Sequence, residues 1–156
     1  MRYIPDIMTI DFQDRVALVT GGSRGIGAAC CRRLAAGGAK VWVGYMRRAA
    51  EAEALVQELR EAGGEAEPVQ LDVRDTNSVD AAVERVFEDR RQIDILINSA
   101  GVTQDGLMLT MGDEQWSEVM ETNATGSFKV CRAVAKPMLM RRKGSIVLLS
   151  SVAGQK

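Results

Sequence analysis

With 156 residues, 46% of them apolar and 26% charged, the chain has the length and composition of one ordinary folded domain. Its 20 lysines and arginines nearly balance 21 aspartates and glutamates, so no basic excess favours a nucleic acid or a membrane surface as partner. Histidine is absent, which excludes Ser-His-Asp triads and most zinc sites from this stretch. We therefore assign no metal site and expect small molecules or other protein chains as partners.

The compartment is inferred from the absence of targeting signals and from the cysteines. No apolar run reaches the roughly eighteen residues of a membrane span, and the start of the chain lacks the pattern of a secretory signal. The cytoplasm is the expected location. Cys30, Cys31 and Cys131 form no CxxC motif and fall in helical apolar patterns, which predicts buried free thiols.

Five short runs rich in β-branched residues predict strands, and helical patterns lie between them. The strands are predicted at Val16–Thr20, Lys40–Tyr45, Glu67–Leu71, Ile93–Asn98 and Ser145–Ser150. The helices are predicted at Gly25–Ala36, Ala49–Ala62, Ser78–Arg90 and Glu114–Arg142, the last disturbed by Pro137. Nearly continuous apolar strands are typical of a parallel sheet that is covered on both faces.

This alternation of strand and helix predicts right-handed βαβ crossovers. The expected fold is α/β, a doubly wound parallel sheet of the Rossmann type with strand order 3-2-1-4-5. We divide the chain into an N-terminal extension, residues 1–11, and a dinucleotide-binding domain, residues 12–156, that we expect to be incomplete at its carboxyl end.

A glycine-rich turn follows the first strand, in the segment TGGSRGIG, and leads into a helix. Such a turn lets backbone amides approach a pyrophosphate at the positive end of the helix. The turn follows a strand, precedes a helix and contains an arginine. This combination favours a nucleotide-binding turn over one that only connects the two elements. The turn residues assigned to a cofactor are Gly21, Ser23, Arg24, Gly25, Ile26 and Gly27.

The end of the second strand bears on the choice of cofactor. An NAD site usually has an acidic residue there, whereas this strand ends at Tyr45 and is followed by Arg47 and Arg48. Guanidinium groups of Arg24 and Arg47 could bind a 2′-phosphate. The sequence therefore favours NADP(H), with Arg48 interpreted as a solvated helix start.

Five motifs together resemble those of the single-domain short-chain dehydrogenase/reductases. They are TGGSRGIG at 20–27, LDV at 71–73, NSAG at 98–101, ETN at 121–123 and SSVAG at 150–154. The segment between NSAG and ETN is most similar to that of 3-oxoacyl-(acyl-carrier-protein) reductases, with acetoacetyl-CoA reductases as near relatives. The family usually has a second asparagine where this chain has Ser99.

The resemblance implies roles for further cofactor residues. Asp72 would hydrogen-bond the adenine amino group with Val73 beside it, although Asp72 can also be read as a surface residue that caps the next turn. The cofactor ribose would be lined by Asn98, Ala100 and Gly101.

The resemblance also implies a catalytic apparatus of which this chain carries one part. Asn123 would hold a water of a proton relay, and Ser151 would donate a hydrogen bond to the reacting carbonyl. The alternative for Asn123 is a structural role at a helix kink. Trp116 and the methionines near it are assigned to the core rather than to an acyl-binding surface.

The family's general acid belongs to a Tyr-x-x-x-Lys motif, which this sequence lacks, since its tyrosines are Tyr3 and Tyr45. We therefore expect a truncated reductase. Its whole form is expected to be a homotetramer that uses NADPH to reduce 3-oxoacyl thioesters in fatty acid biosynthesis, with the acyl group carried on acyl carrier protein or CoA. The chain alone is expected to be inactive. A non-catalytic NADP(H)-binding fragment, a partner subunit and an acetoacetyl-CoA reductase remain alternatives.

Overall fold

The computed structural model of the chain describes residues 11–151, so all but the last residue of the expected N-terminal extension lies outside the described range. Within these residues the chain forms five strands and five α-helices, and at least one helix lies between each pair of consecutive strands. The strands are β1 (Val16–Thr20), β2 (Lys40–Tyr45), β3 (Glu65–Gln70), β4 (Ile95–Asn98) and β5 (Ser145–Leu148). The helices are α1 (Gly25–Ala36), α2 (Ala49–Glu61), α3 (Thr76–Arg90), α4 (Asp113–Val119) and α5 (Ser127–Arg141).

All five strands pair in parallel in the order β3-β2-β1-β4-β5, which confirms the expected doubly wound topology. In this register Thr20 at the end of β1 lies beside Asn98 at the end of β4. The carboxyl ends of the central strands therefore meet at one edge of the sheet, where open α/β sheets bind ligands.

The core lies on both faces of the sheet because successive residues of β1 point in opposite directions. Val16 and Leu18 pack with residues of α3 and α5, whereas Ala17 and Val19 pack with residues of α1 and α2. Every residue of β1 is buried. This two-sided burial explains why the sequence of β1 is continuously apolar.

A buried carboxylate connects the amino ends of the central strands. Asp94, just before β4, is 4% exposed and accepts a hydrogen bond from the backbone N–H of Val16 at 2.9 Å. Arg141 at the end of α5 lies 3.2 Å from the same carboxylate and Arg15 lies 3.7 Å from it. Asp94 thus ties β1, β4 and α5 together at the edge opposite the expected site.

The long helix predicted at Glu114–Arg142 is interrupted by a π-helical turn, Met120–Gly126, between α4 and α5. α5 continues through Pro137, so the departure from regular α-helix lies before that residue. A Cβ at Gly126 would lie 2.7 Å from Cγ2 of Val73, so this wider turn lies directly on the segment after β3.

The assignment of Trp116 to the core is wrong, since its side chain is 59% exposed and Met120 beside it is 42% exposed. The reason is that α4 packs chiefly on the π-helical turn rather than on the sheet. β5, at one edge of the sheet, is also exposed along its whole length. Within residues 11–151, no helix has the length and apolar character needed to cross a membrane.

Candidate functional site

A cleft of about 730 Å³ opens at the carboxyl edge of the sheet. Segments that follow β1, β2, β3 and β4 form its walls, together with residues of α4 and the π-helical turn. The lining residues are Gly21, Ser23, Arg24, Gly25, Ile26, Tyr45, Met46, Arg47, Arg48, Leu71, Asp72, Val73, Arg74, Ser99, Ala100, Gly101, Val102, Glu118 and Thr122.

The glycine-rich turn passes close to its neighbours and leaves the start of α1 open to the cleft. Gly21 has a φ of 61°, in the left-handed region that favours glycine. A Cβ on Gly27 would lie 2.3 Å from the carbonyl oxygen of Gly21, so only glycine fits there. No side chain caps the first turn of α1, and that turn contains no acidic residue. The helix start therefore offers backbone N–H groups and a positive dipole end to an anion.

Besides Arg74, three arginines line the cleft, and they differ in what they contact. Arg48 donates a hydrogen bond to Glu51 at 2.8 Å within the first turn of α2. Among the residues that the structure describes, Arg24 and Arg47 form no salt bridge. Their guanidinium groups are available to an anionic ligand, because no carboxylate neutralises them at hydrogen-bond distance.

Asp72 and Arg74 form a closely bonded pair on the wall after β3. Asp72 Oδ1 accepts from the backbone N–H and from Nε of Arg74 at 3.0 and 3.1 Å, and Oδ2 accepts from Nη2 at 2.9 Å. These hydrogen bonds, and secondarily the charge of Arg47, hold the pKa of Asp72 below its ordinary value. Asp72 therefore faces the cleft as an ionised carboxylate at neutral pH.

Three side chains, those of Thr20, Asn98 and Ser127, form a hydrogen-bond network with nearby backbone groups behind the cleft. Thr20 Oγ1 donates to Asn98 Oδ1 at 2.8 Å and accepts from the backbone N–H groups of Ser99 and Ala100, each at 3.1 Å. Asn98 Nδ2 donates to Ser127 Oγ at 2.8 Å, and that hydroxyl donates to the carbonyl oxygen of Asn123 at 2.6 Å. The network joins β1, β4 and the π-helical turn, so it fixes the Ser99–Ala100 turn against the sheet.

The structure brings most of the predicted cofactor residues together on the cleft. Gly27 and Asn98 are the exceptions, since both lie behind the lining. Asn98 is 3% exposed, and its side-chain amide is held by Thr20 and Ser127.

The two predicted catalytic residues lie outside the cleft lining. Asn123 is bonded through its side chain to the backbone of Val102, while Ser151 is an exposed residue that follows β5. Of the three cysteines, all free, Cys31 is buried, whereas Cys30 and Cys131 are partly exposed.

Three residues of the site were missed by the sequence analysis: Thr20, Ser127 and Arg74. Thr20 ends β1 with a hydroxyl and pairs with the polar end of β4, a match that predicts a contact once the strand order is known. Ser127 lies four residues after Asn123, the spacing at which a serine hydroxyl in a helix donates to the backbone carbonyl of the preceding turn. Arg74 gave no comparable signal, because a basic residue in a loop is ordinarily solvated.

The chain is similar to known proteins along most of its length. The short chain dehydrogenase family model matches residues 15–156. The chain is 44% identical over 140 residues to a 3-oxoacyl-(acyl-carrier-protein) reductase of Synechocystis sp., covering 90% of the chain and 57% of that relative. It is 38% identical over 145 residues to the 3-oxoacyl-(acyl-carrier-protein) reductase FabG of Escherichia coli, covering 93% and 58%.

The fold is also similar to that of a solved reductase. A variant of actinorhodin polyketide ketoreductase, solved with NADPH, superposes with a TM-score of 0.87 at 40% identity. The match covers 91% of the chain and 55% of the ketoreductase. The chain therefore spans a little over half the length of each of these relatives.

Proposed function

The chain belongs to the short chain dehydrogenase family, and we propose that the whole protein containing it reduces a 3-oxoacyl thioester to the 3-hydroxyacyl form with NADPH. The observation that carries this proposal is the cleft, where the glycine turn, the two unpaired arginines and Asp72 surround one space. The similarity to two 3-oxoacyl-(acyl-carrier-protein) reductases supports the acyl-carrier-protein thioester as substrate. Acyl thioesters of CoA are the alternative carrier, and a soluble homotetramer active in fatty acid biosynthesis is the proposed form.

The cleft fits a nicotinamide dinucleotide phosphate on two grounds. The close approach at Gly27 leaves backbone rather than side chain facing a pyrophosphate, at the uncapped start of α1. Arg24 and Arg47 supply positive charge, while β2 ends in Tyr45 where an acidic residue would repel a 2′-phosphate. These residues would bind the phosphates, with Asp72 and Val73 at the adenine end and Ala100 and Gly101 beside a ribose.

When bound, NADPH supplies the hydride that is transferred to the carbonyl carbon. In the proposed reaction the hydroxyl of Ser151 donates a hydrogen bond to the carbonyl oxygen, which gains negative charge as the hydride arrives. Asn123 holds a water of the proton relay in this proposal. Its hydrogen bonds to the backbone of Val102 fix the position of its side chain.

The proton that completes the alcohol comes, in this proposal, from the tyrosine of a Tyr-x-x-x-Lys motif. We place that motif in the portion of the protein that corresponds to the part of the relatives that this chain does not span. Residues 1–156 alone are therefore proposed to lack turnover, because a positioned acid contributes about a hundred to ten thousand fold.

An assay of the whole protein tests the reaction and the cofactor preference together. We expect oxidation of NADPH, followed by its absorbance, in the presence of an acetoacetyl thioester. Arg24→Gln and Arg47→Gln should each lower kcat/KM for NADPH about tenfold or more, because each removes a charge-assisted hydrogen bond to phosphate, while the value for NADH changes little.

Arg48→Gln is the matched control, since Arg48 is bound by Glu51, and it should preserve the preference for NADPH. Equal losses with NADPH and NADH in the Arg24 and Arg47 variants would contradict the phosphate assignment. Absence of turnover with either cofactor and with both thioester carriers would contradict the reductase assignment.

A non-catalytic NADP(H)-binding chain is the second candidate, as a fragment or as a partner subunit. It is favoured by the combination of a formed cleft with a sequence whose tyrosines are confined to Tyr3 and Tyr45. Binding of NADPH by the 156-residue chain, with a whole protein that lacks the Tyr-x-x-x-Lys motif and turns over no thioester, would support this candidate over the reductase.

A further inference from the structure

The guanidinium group of Arg74 holds both carboxylate oxygens of Asp72 on the wall of the cleft. Nε and Nη2 of Arg74 donate to Oδ1 and Oδ2 at 3.1 and 2.9 Å, a bidentate arrangement that fixes orientation as well as distance. Both residues line the cleft, and the side chains of Arg74 and Asp72 are 31% and 28% exposed. The pair is therefore accessible to a ligand yet partly shielded from water.

The two residues are anchored from outside the pair as well. The carbonyl oxygen of Arg74 accepts a hydrogen bond from Nζ of Lys129 on α5, and its Nη2 lies 3.6 Å from Sδ of Met46 after β2. On the other side, the backbone N–H of Asp72 donates to Oγ of Ser78 on α3 at 3.0 Å. Contacts with α3, α5 and the end of β2 thus hold the backbone of both residues and the guanidinium group that orients the carboxylate.

The hydrogen bonds already made decide what the carboxylate can still bind. An ionised carboxylate has about four acceptor sites and no donor. Arg74 occupies two sites on Oδ1, through its backbone N–H and Nε, and one on Oδ2. The remaining acceptor site of Asp72 requires a donor from the ligand, and a ligand oxygen placed there would be repelled.

The surroundings suit the flat edge of a nucleobase. Leu71 and Val73, on either side of Asp72, are 4% and 5% exposed and line the same cleft. They offer a small apolar surface beside the Asp72–Arg74 pair, and apolar surface with a few placed polar groups is the usual composition of a small-molecule site.

We propose that Arg74 is a positioning residue that sets the base preference of this cleft. By holding the carboxylate of Asp72 in one orientation, Arg74 makes the site favour a purine with a 6-amino donor, adenine, over a purine with a 6-oxo group. This inference rests on the proposed function, because it requires the base end of the nicotinamide dinucleotide phosphate to reach Asp72.

The test compares two nucleotides that differ at one exocyclic group. Dissociation constants are measured for NADPH and for its reduced hypoxanthine analogue by nicotinamide fluorescence in the whole protein. The wild type should bind NADPH about tenfold more tightly, since a 6-oxo group leaves the carboxylate without its donor. Arg74→Gln should reduce that preference below about threefold because the carboxylate loses its bidentate partner.

Arg74→Lys provides a second variant that keeps the charge but cannot bind both oxygens in a planar fork, and its preference should fall in the same way. If Arg74→Gln fails to fold, Arg74→Lys alone decides the result. Arg48→Gln changes an arginine of the same cleft whose partner is Glu51, and it should retain the wild-type preference.

Equal weakening of both nucleotides in the Arg74 variants, with the tenfold ratio unchanged, would overturn this inference and leave the proposed function standing. A wild-type protein that binds both nucleotides equally would likewise overturn this inference and leave the proposed function standing. A wild-type protein that binds neither would overturn the proposed function and this inference with it.

Discussion

Asn123 forms both hydrogen bonds that the peptide groups of Val102 offer. Its Nδ2 donates to the carbonyl oxygen of Val102 at 2.8 Å, and its Oδ1 accepts from the N–H of Val102 at 2.9 Å. A Cβ on Gly101 would lie 3.3 Å from the same Oδ1, so the chain after β4 runs close to the asparagine. The π-helical turn thereby fixes the course of the segment that leaves the cleft.

We expect Asn123→Asp to release this segment. An aspartate at this position has no N–H for the carbonyl of Val102 and brings a negative charge to that oxygen, which should cost about 1–3 kcal/mol of unfolding free energy. Urea unfolding of the whole protein measures the loss, and limited proteolysis between residues 102 and 112 should become faster. Asn77→Asp, on the exposed start of α3, is the control and should change stability by less than about 0.5 kcal/mol.

Gly27→Ala should damage the glycine turn without removing any polar group. The added Cβ would lie 2.3 Å from the carbonyl oxygen of Gly21, so the turn must open. We expect a loss of about 1–3 kcal/mol in stability and at least tenfold in NADPH affinity, from thermal unfolding and fluorescence titration of the whole protein. Gly106→Ala, where a Cβ would meet nothing within 4 Å, is the control. Wild-type NADPH affinity in Gly27→Ala would contradict the role given to this turn.

Asp94→Asn should destabilise the fold from the edge opposite the cleft. The substitution keeps the shape of the side chain but removes the charge that faces Arg141 and Arg15 beside the Val16 N–H. We expect a loss of about 2–4 kcal/mol in urea unfolding, since one partner of a buried charged network is removed. Glu58→Gln breaks the exposed pair with Arg32, both about half exposed, and should leave the unfolding midpoint unchanged. Similar losses of stability in Asp94→Asn and Glu58→Gln would contradict the prediction that a buried carboxylate contributes more to stability than an exposed one.

We expect the buried thiol of Cys31 to make the fold less stable at alkaline pH. Burial, with a smaller contribution from Cys30, raises the pKa of the Cys31 thiol from 9.0 to about 12 in the folded chain. Below pH 9 both states keep the proton, whereas between pH 9 and 12 only the unfolded chain loses it, so folding becomes progressively less favourable. The contribution approaches about 1.4 kcal/mol per pH unit within that range.

Unfolding of Cys31→Ala by urea between pH 9 and 10.5 checks this prediction. The free energy of unfolding should fall less steeply with pH in the variant than in the wild type. The same comparison at pH 7, where the thiol is protonated in both states, gives the packing cost of the substitution alone. Parallel pH dependences in the two proteins would show that Cys31 ionises alike in both states.

The sheet was predictable because its strands carry a local signal. Two strands, Val16–Thr20 and Lys40–Tyr45, begin and end where the sequence predicts. A short apolar run that is bounded by polar or glycine residues is typical of a buried strand. The glycine turn was equally readable, because its spacing reflects the close contact between Gly21 and Gly27.

The parts that the sequence analysis missed depend on tertiary contacts. Apolar spacing does not distinguish a π-helical turn from an α-helix, so Met120–Gly126 was merged into one long helix. Trp116 was assigned to the core because its residue type favours burial, yet the path of α4 leaves it in solvent. The bond between Arg74 and Asp72 joins two loop residues of ordinary type, and only coordinates reveal it.

The π-helical turn restricts the number of residues that this segment can contain. Each residue of an α-helix advances the chain by about 1.5 Å and rotates it by about 100°. Deleting one residue between Met120 and Gly126 would convert the wide turn to regular helix and rotate what precedes it relative to α5. Asn123 would then no longer face Val102 while Ser127 still faced Asn98. The number of residues in this turn is therefore fixed by the contacts that Asn123 and Ser127 make on either side of it.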